Sequence, residues 1–400
     1  MRVDCAVVGA GPAGLAASAA LAARGVEHVV LERGRAGESW RSQRWGSFRL
    51  NTPGWMNGVL GPQPGDAYHP GPEVVARLER LAAASPVREG VGVTRLAPTG
   101  DGYALGTDAG ELRARTVVVA TGDQNRPRLP ALAGAFPDRL AQAHTAGYRD
   151  PGRLPEGAVL VVGSAQSGCQ ITEDLLAGGR RVILATSPAG RLPWRHRGRD
   201  TVEWLLDAGF FDQRPRDLPD PSVMRDAQPI VAPGGRSLSL PALARAGVTL
   251  AGRPVAVDGE RVAFDDSLAA NVAAGDAFAA RVRGLADESI RRRGLDAPPA
   301  EPDGHDVNVD LDPPPASLDL RAERVAAVVW CTGFGGDFSF IDPALVAADG
   351  TPRRQDAAGP MPGLWYLGLK WLRRRGSGIL FGFPGDAAVV ADAVRAHLGG

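Results

Sequence analysis

Apolar positions along this chain fall into runs whose period changes in a repeated way. A mostly apolar run from Val3 to Val8 breaks at Gly9 into a glycine-rich turn, passes into an Ala- and Leu-rich stretch from Ala13 to Arg24, and returns as the run His28 to Glu32. That succession predicts strand, turn, helix and strand, a βαβ unit. The same succession recurs as Ala158 to Val162, the turn Gly163 to Gly168, a helix to about Ala177 and a strand from Arg181 to Ala185. Between the two units, Thr116 to Ala120 reads as a buried strand ending in Thr121-Gly122. Pro127, Pro130, Pro151 and Pro155 mark an extended connection, which places a junction near residue 150.

From about Leu192 to Leu320 the pattern loosens. Val202, Leu205 and Leu206 have helical spacing, a longer helix is expected from about Leu268 to Arg292, and Asp296 to Pro315, rich in Pro and Asp, reads as a surface loop. Regular signal returns with Val325 to Trp330, which runs into Cys331-Thr332-Gly333-Phe334, a second strand ending in Thr-Gly. A strand from Leu364 to Leu367, a glycine-rich turn and a helix from about Asp386 to His397 should rejoin the first sheet. The expected fold is α/β, with two Rossmann-like dinucleotide-binding domains, the second inserted in the first. The first domain takes 1–150 and 321–400, the second 151–320, and a helical insertion covers about 192–320.

Composition narrows the choice of function. With 45 basic and 45 acidic residues the formal charge is zero, so nothing points to nucleic acid or an anionic membrane. No apolar run approaches the roughly 20 residues of a membrane helix. The first strand starts almost at the first Met, which leads to the expectation of a cytoplasmic protein. Lys370 is the sole lysine, so arginines are weak evidence for binding here. Cys5, Cys169 and Cys331 lie far apart without a CxxC pair, which argues against a dithiol centre or a metal site.

The chemistry is carried by the two turns. Gly9 permits the tight strand-to-helix turn, Gly11 admits a pyrophosphate to the backbone, and Gly14 allows the helix to pack on the strand, with Pro12 and Ala13 opening that helix. The anion then sits at the positive end of the helix dipole. Glu32 follows at the distance from which a carboxylate reaches a ribose hydroxyl pair. In the second turn, Gly163-Ser164-Ala165-Gln166-Ser167-Gly168, an alanine replaces the middle glycine. No acid ends the strand that follows; Thr186 and Ser187 come instead, with Arg191, Arg195 and Arg197 soon after, a pattern that favours NADPH over NADH. These arginines could equally be a solvated surface.

Taken together, these residues make the chain resemble the two-dinucleotide flavin monooxygenases that include the N- and S-oxidising flavin-containing enzymes and the indolepyruvate monooxygenases. The likeness rests on Gly9 to Gly14 with Glu32, on Gly37-Glu38-Ser39-Trp40, on Gly163 to Gly168, and on Thr121-Gly122 and Thr332-Gly333. It implies FAD at the first turn, with Arg33, Trp40 and Arg41 also beside it, and NADPH at the second. Phe48 to Pro53 is similar to a family stretch in which Asn precedes x-Pro beside the flavin, which makes Asn51 the candidate catalytic residue. The segment from Lys370 to Leu380 is similar to the C-terminal segment of bacterial flavoproteins of this superfamily, implying contact of Ser377, Gly378 and Ile379 with the isoalloxazine edge. The implied reaction is oxygen transfer from a flavin C4a-hydroperoxide to a nucleophilic nitrogen or sulfur, less readily carbon, of a small molecule. The expected partners are then that substrate and O₂, with a homodimer left open. A family linker motif before the second turn keeps His144 and Tyr148, but Asp138 and Leu140 stand where Phe and Gly should be. Two alternatives stay open: an oxidase or dehydrogenase with a decayed NADPH site, and a non-catalytic, redox-sensing flavoprotein. Trp194, His196, Trp204, Phe210 and Phe211 could line a substrate wall or simply form core.

Overall fold

The computed structural model describes residues 2–61, 65, 67–227, 229–304 and 311–399. Its core is two β-sheets, one mixed and one parallel, each built on one of the glycine turns. In the first sheet, Arg2–Val8 lies between His28–Glu32 and Gly110–Val119, parallel to both, with Val87–Glu89 beyond His28–Glu32. Gly102–Thr107 and Val93–Thr99 extend it as an antiparallel hairpin, and Leu364–Tyr366 comes back from the C-terminal segment to pair with Gly110–Val119. Cys5, Ala6, Val7, Val117 and Val118 are fully buried. Strands covered on both faces read as continuous apolar runs, which is why the pattern was clear here.

The second sheet has the order Thr249–Ala251, Val182–Ala185, Ala158–Val162, Val325–Trp330, Ala141–His144, and all of its pairings are parallel. Helices Pro12–Ala22 and Gln166–Ala177 leave the two turns, and the final helix Phe383–Gly399 packs on Pro12–Ala22.

The strands differ from the expected boundaries in sheet membership, in where the chain crosses and in the make-up of the insertion. Ala141–His144 and Val325–Trp330 both belong to the second sheet, not to segments of the first. An apolar strand such as Val325–Trp330 does not reveal which sheet it enters, and Ala141–His144 is a short, half-exposed edge strand with little pattern. The chain crosses between sheets where Arg126–Pro127 pairs antiparallel with Phe334–Gly335, rather than near 150 and 321. Nor is 192–320 one helical insertion. Thr249–Ala251 completes the second sheet, and Pro254–Asp258, Arg261–Phe264 and Ser317–Asp319 form a three-stranded antiparallel sheet. The helical part comprises Thr201–Asp207, Leu240–Arg245 and the long Leu268–Arg293. Of the expected surface loop at 296–315, residues 305–310 lie outside the described residues.

Candidate active site

The first turn has the geometry that its glycines imply. Gly9 has φ +103°, and a Cβ there would stand 2.9 Å from Ala120 O. A Cβ on Gly14 would fall far inside van der Waals contact of Gly9 O, so the helix lies as close to the strand as backbone allows. Gly11 differs: nothing lies within 4 Å of where its Cβ would be, and it lines a cavity of about 590 Å³. Pro12, Ala13, Glu32 and Arg33 line the same cavity. The Glu32 carboxylate is fixed by two amides, accepting from Ala10 N at 2.8 Å and from Gly34 N at 2.9 Å. Thr121 and Gly122 also line the cavity, and the buried Thr121 hydroxyl has no hydrogen-bond partner among the described residues. An open glycine at a helix start, a fixed carboxylate and an unused buried hydroxyl fit a dinucleotide.

The second turn repeats this backbone. Gly163 also has φ +103°, its Cβ would meet Cys331 O at 2.6 Å, and Gly168 packs on Gly163 O as Gly14 does on Gly9 O. The residues capping the two helices match as well: Gly11 has φ −76°, ψ −178°, and Ala165 φ −75°, ψ −170°. Ala165, Gln166 and Ser167 line a second cavity of about 330 Å³, together with Asn51, Gly333, Gly378 and Ile379. Trp40 and Gly378 line both cavities, so the two sites adjoin.

Several expected cofactor residues use their side chains within the protein. Arg41 donates to Ala36 O and Glu79 Oε1 and lines neither cavity. The buried Ser164 hydroxyl exchanges hydrogen bonds with the Ser187 backbone, locking the two strand ends to each other. The Ser377 hydroxyl accepts from Arg373 N and Arg374 N, closing its own turn away from both cavities. Thr332 donates to Arg128 O at the crossing between sheets. Each has a polar side chain spent on a loop, and spacing in the sequence does not separate that use from ligand binding. Gln166 does both, lining the cavity while its amide pairs with Val231 N and O in the segment that follows.

Two of the three arginines expected to read a 2′-phosphate are engaged by carboxylates. Arg191 pairs with Asp276 at 2.8 Å and Arg197 with Asp287 at 2.7 Å, while the Arg195 guanidinium lies over the Trp194 ring. The missing acid after Val182–Ala185, with Arg195 paired to no carboxylate among the described residues, still favours NADPH. Of the two readings left open for the aromatic cluster, core describes most of it: Trp204 is buried and donates to His196 O, His196 pairs with Asp287, and buried Phe210 packs edge-on to half-buried Phe211. His144 is a structural residue of the crossing. Its Nε2 donates to Gly333 O at 3.0 Å, its Nδ1 accepts from Ala146 N, and burial holds its pKa below the usual histidine value.

Two functional positions gave no usable signal in the sequence. Asn57, fully buried, accepts from the Thr52 hydroxyl and donates to Thr52 O and Pro53 O, so it sets the turn that presents Asn51 to the second cavity. Arg44 lines both cavities, with its guanidinium 5.0 Å from the Trp40 ring centroid and 5.4 Å from that of Phe48. Among so many arginines neither spacing nor composition singles it out. Cys331 borders the second cavity, but burial pushes its thiol up to about 12, so it is not a thiolate at neutral pH.

Two adjoining cavities, each faced by a dinucleotide turn, define an oxidoreductase of the two-domain nucleotide-binding class. Residues 6–205 match the model of the pyridine nucleotide-disulphide oxidoreductases, and the chain belongs to that family. It is 26% identical over 403 residues to the "Uncharacterized oxidoreductase CzcO-like" of Geobacillus kaustophilus, with 99% of each chain covered. It is 36% identical over 184 residues to indole-3-pyruvate monooxygenase YUCCA1 of Oryza sativa subsp. japonica, covering 44% of this chain and 45% of the relative. A flavin-containing monooxygenase from Stenotrophomonas maltophilia superposes with a TM-score of 0.67 at 21% identity, over 99% of this chain and 98% of that one. At that identity the likeness speaks for the fold.

Proposed function

We propose that the protein is an FAD-dependent, NADPH-using monooxygenase that oxidises a small organic molecule at a nucleophilic nitrogen or sulfur. The observation that carries this reading is the meeting of the two cavities at Trp40, Arg44, Gln124, Gly378 and Phe383, where the redox ends of two dinucleotides would face each other. The relative named as a monooxygenase supports the same class. When bound, the flavin supplies hydride acceptance from nicotinamide and activation of O₂.

The chain's own part is placement and exclusion of water. Glu32, fixed by two backbone amides, presents its remaining lone pairs to ribose hydroxyls. Amides at the start of Pro12–Ala22 and of Gln166–Ala177 receive the two pyrophosphates. Asn51, presented by Asn57, lies on the wall of the second cavity, where its amide can orient the nicotinamide or the flavin edge. Trp45, Phe48 and Phe334 give that cavity an apolar lining, which lowers the local dielectric and slows entry of water.

Absorbance spectroscopy of purified protein tests this reading. Bound flavin bleached by NADPH faster than by NADH, followed by reoxidation in air with product from an amine or sulfide, is the expected result. No reduction at millimolar NADPH would favour the oxidase or dehydrogenase reading instead.

A further inference from the structure

Of the five residues where the cavities meet, Arg44 is the one that carries a charge. Its guanidinium donates from Nη1 to Gln43 O at 2.9 Å, and among the described residues no carboxylate pairs with it. Two other arginines set into the protein are neutralised, Arg191 by Asp276 and Arg373 by the fully buried Asp386 at 2.9 Å, whereas Arg375, over Phe210 and Trp371, resembles Arg44 but lines neither cavity. Arg44 lies over Trp40 and Phe48, and ring faces hold a cation without cancelling its charge. Burial lowers its pKa to about 10, which still leaves it protonated at neutral pH. A desolvated cation without a counter-ion is costly, and such a group in a cleft is a candidate for receiving negative charge.

We propose that Arg44 is the electrostatic residue of the flavin site, stabilising the negative charge that appears on the ring when it is reduced. This rests on the flavin reading given above. Transfer of a hydride from NADPH moves two electrons and one proton to the ring and leaves NADP⁺, so the reduced ring is one unit more negative than the oxidised one. A fixed cation at the junction therefore binds reduced flavin more tightly than oxidised flavin and raises its reduction potential. The last helix, Phe383–Gly399, also begins at this junction, and Asp386 of its first turn is paired with Arg373.

The test is the midpoint potential of bound FAD in the wild type, R44Q and R44K, read against a reference dye. R44Q should weaken binding of reduced relative to oxidised FAD at least tenfold, a fall of about 30 mV for a two-electron couple. R44K, which keeps the charge, should stay close to the wild type. Equal weakening of both redox forms in R44Q, with an unchanged potential, would overturn the proposal and make Arg44 a holder of cofactor phosphate. Should R44Q not fold, R44M, whose side chain can lie over the same rings, must show the same fall, and an unchanged potential there overturns it too. A wild-type protein that binds no FAD contradicts the flavin reading itself; a flavoprotein whose potential ignores residue 44 contradicts only the proposal for Arg44.

Discussion

The two glycine turns share one backbone and differ in what surrounds it. Both place a glycine at φ +103° and press a second glycine against its carbonyl. Around the first, the second strand ends in Glu32, whose carboxylate is anchored by Ala10 N and Gly34 N. Around the second, the corresponding place is filled by Ser164 and Ser187, bonded to each other, and by Thr186, which donates to Ala251 O. One turn is finished by a charge facing a cavity, the other by neutral groups that satisfy one another. The backbone thus sets that a dinucleotide binds, and the strand end sets which one.

The largest expected effects come from closing the backbone contacts. G14A should lower the free energy of unfolding by about 3 kcal/mol or more and abolish flavin retention, because the added methyl meets backbone that cannot rotate away. G168A should instead keep flavin and lose reduction by NADPH, its clash being confined to the second sheet. Thermal unfolding with flavin absorbance separates the two; equal flavin loss in both variants would break the distinction between the turns.

G11A comes next. Its methyl meets no protein atom, so the melting temperature of flavin-free protein should barely move while FAD affinity falls about tenfold or more through encroachment on the pyrophosphate. A165G at the matching place should change NADPH affinity much less, since the natural residue already carries a methyl. E32Q exchanges a charged acceptor for a neutral one and should weaken FAD by about 1.5–3 kcal/mol, measurable by flavin titration, with NADPH binding untouched.

The smallest effect concerns the crossing. His144 is held neutral by burial, with a folded pKa below its unfolded value of about 6.5. The unfolded state therefore binds the extra proton as pH falls, so this contribution is full above pH of about 6.5 and is lost on moving down through the folded pKa. The melting temperature of the wild type should drop more than that of H144Q between pH 7 and pH 5.5. Parallel pH profiles would show that His144 does not titrate in the crossing.

Both βαβ starts were legible because strands buried on two faces and a helix opening on glycine leave periodic, position-specific marks. Val325–Trp330 was legible as a strand but not as a member of the second sheet, since its apolar run says only that both faces are covered. Ala141–His144, paired on one edge only, left almost no mark. In the site, Gly9 and Gly11 were readable from what glycine permits, a turn at positive φ for one and open backbone for the other, while Gly122 and Gly378 followed from the family resemblance. Glu32 apart, most roles carried by side chains were not readable. Ser164, Ser377 and Thr332 turned out to bond to nearby loops, Arg41 to Glu79, and Arg44 took the place between the cavities. A side chain's partner is chosen by tertiary neighbours, which spacing along the chain does not encode.

The central claim is that the first turn holds FAD and the second NADPH, close enough for hydride transfer. It is tested most directly by anaerobic stopped-flow mixing of the purified flavin-loaded protein with NADPH, followed at the flavin absorbance maximum. The expected result is rapid bleaching that saturates with NADPH, is faster than with NADH, and disappears in G168A while the bound flavin remains. A yellow protein that millimolar NADPH does not bleach, or one that G168A leaves equally reducible, would contradict it.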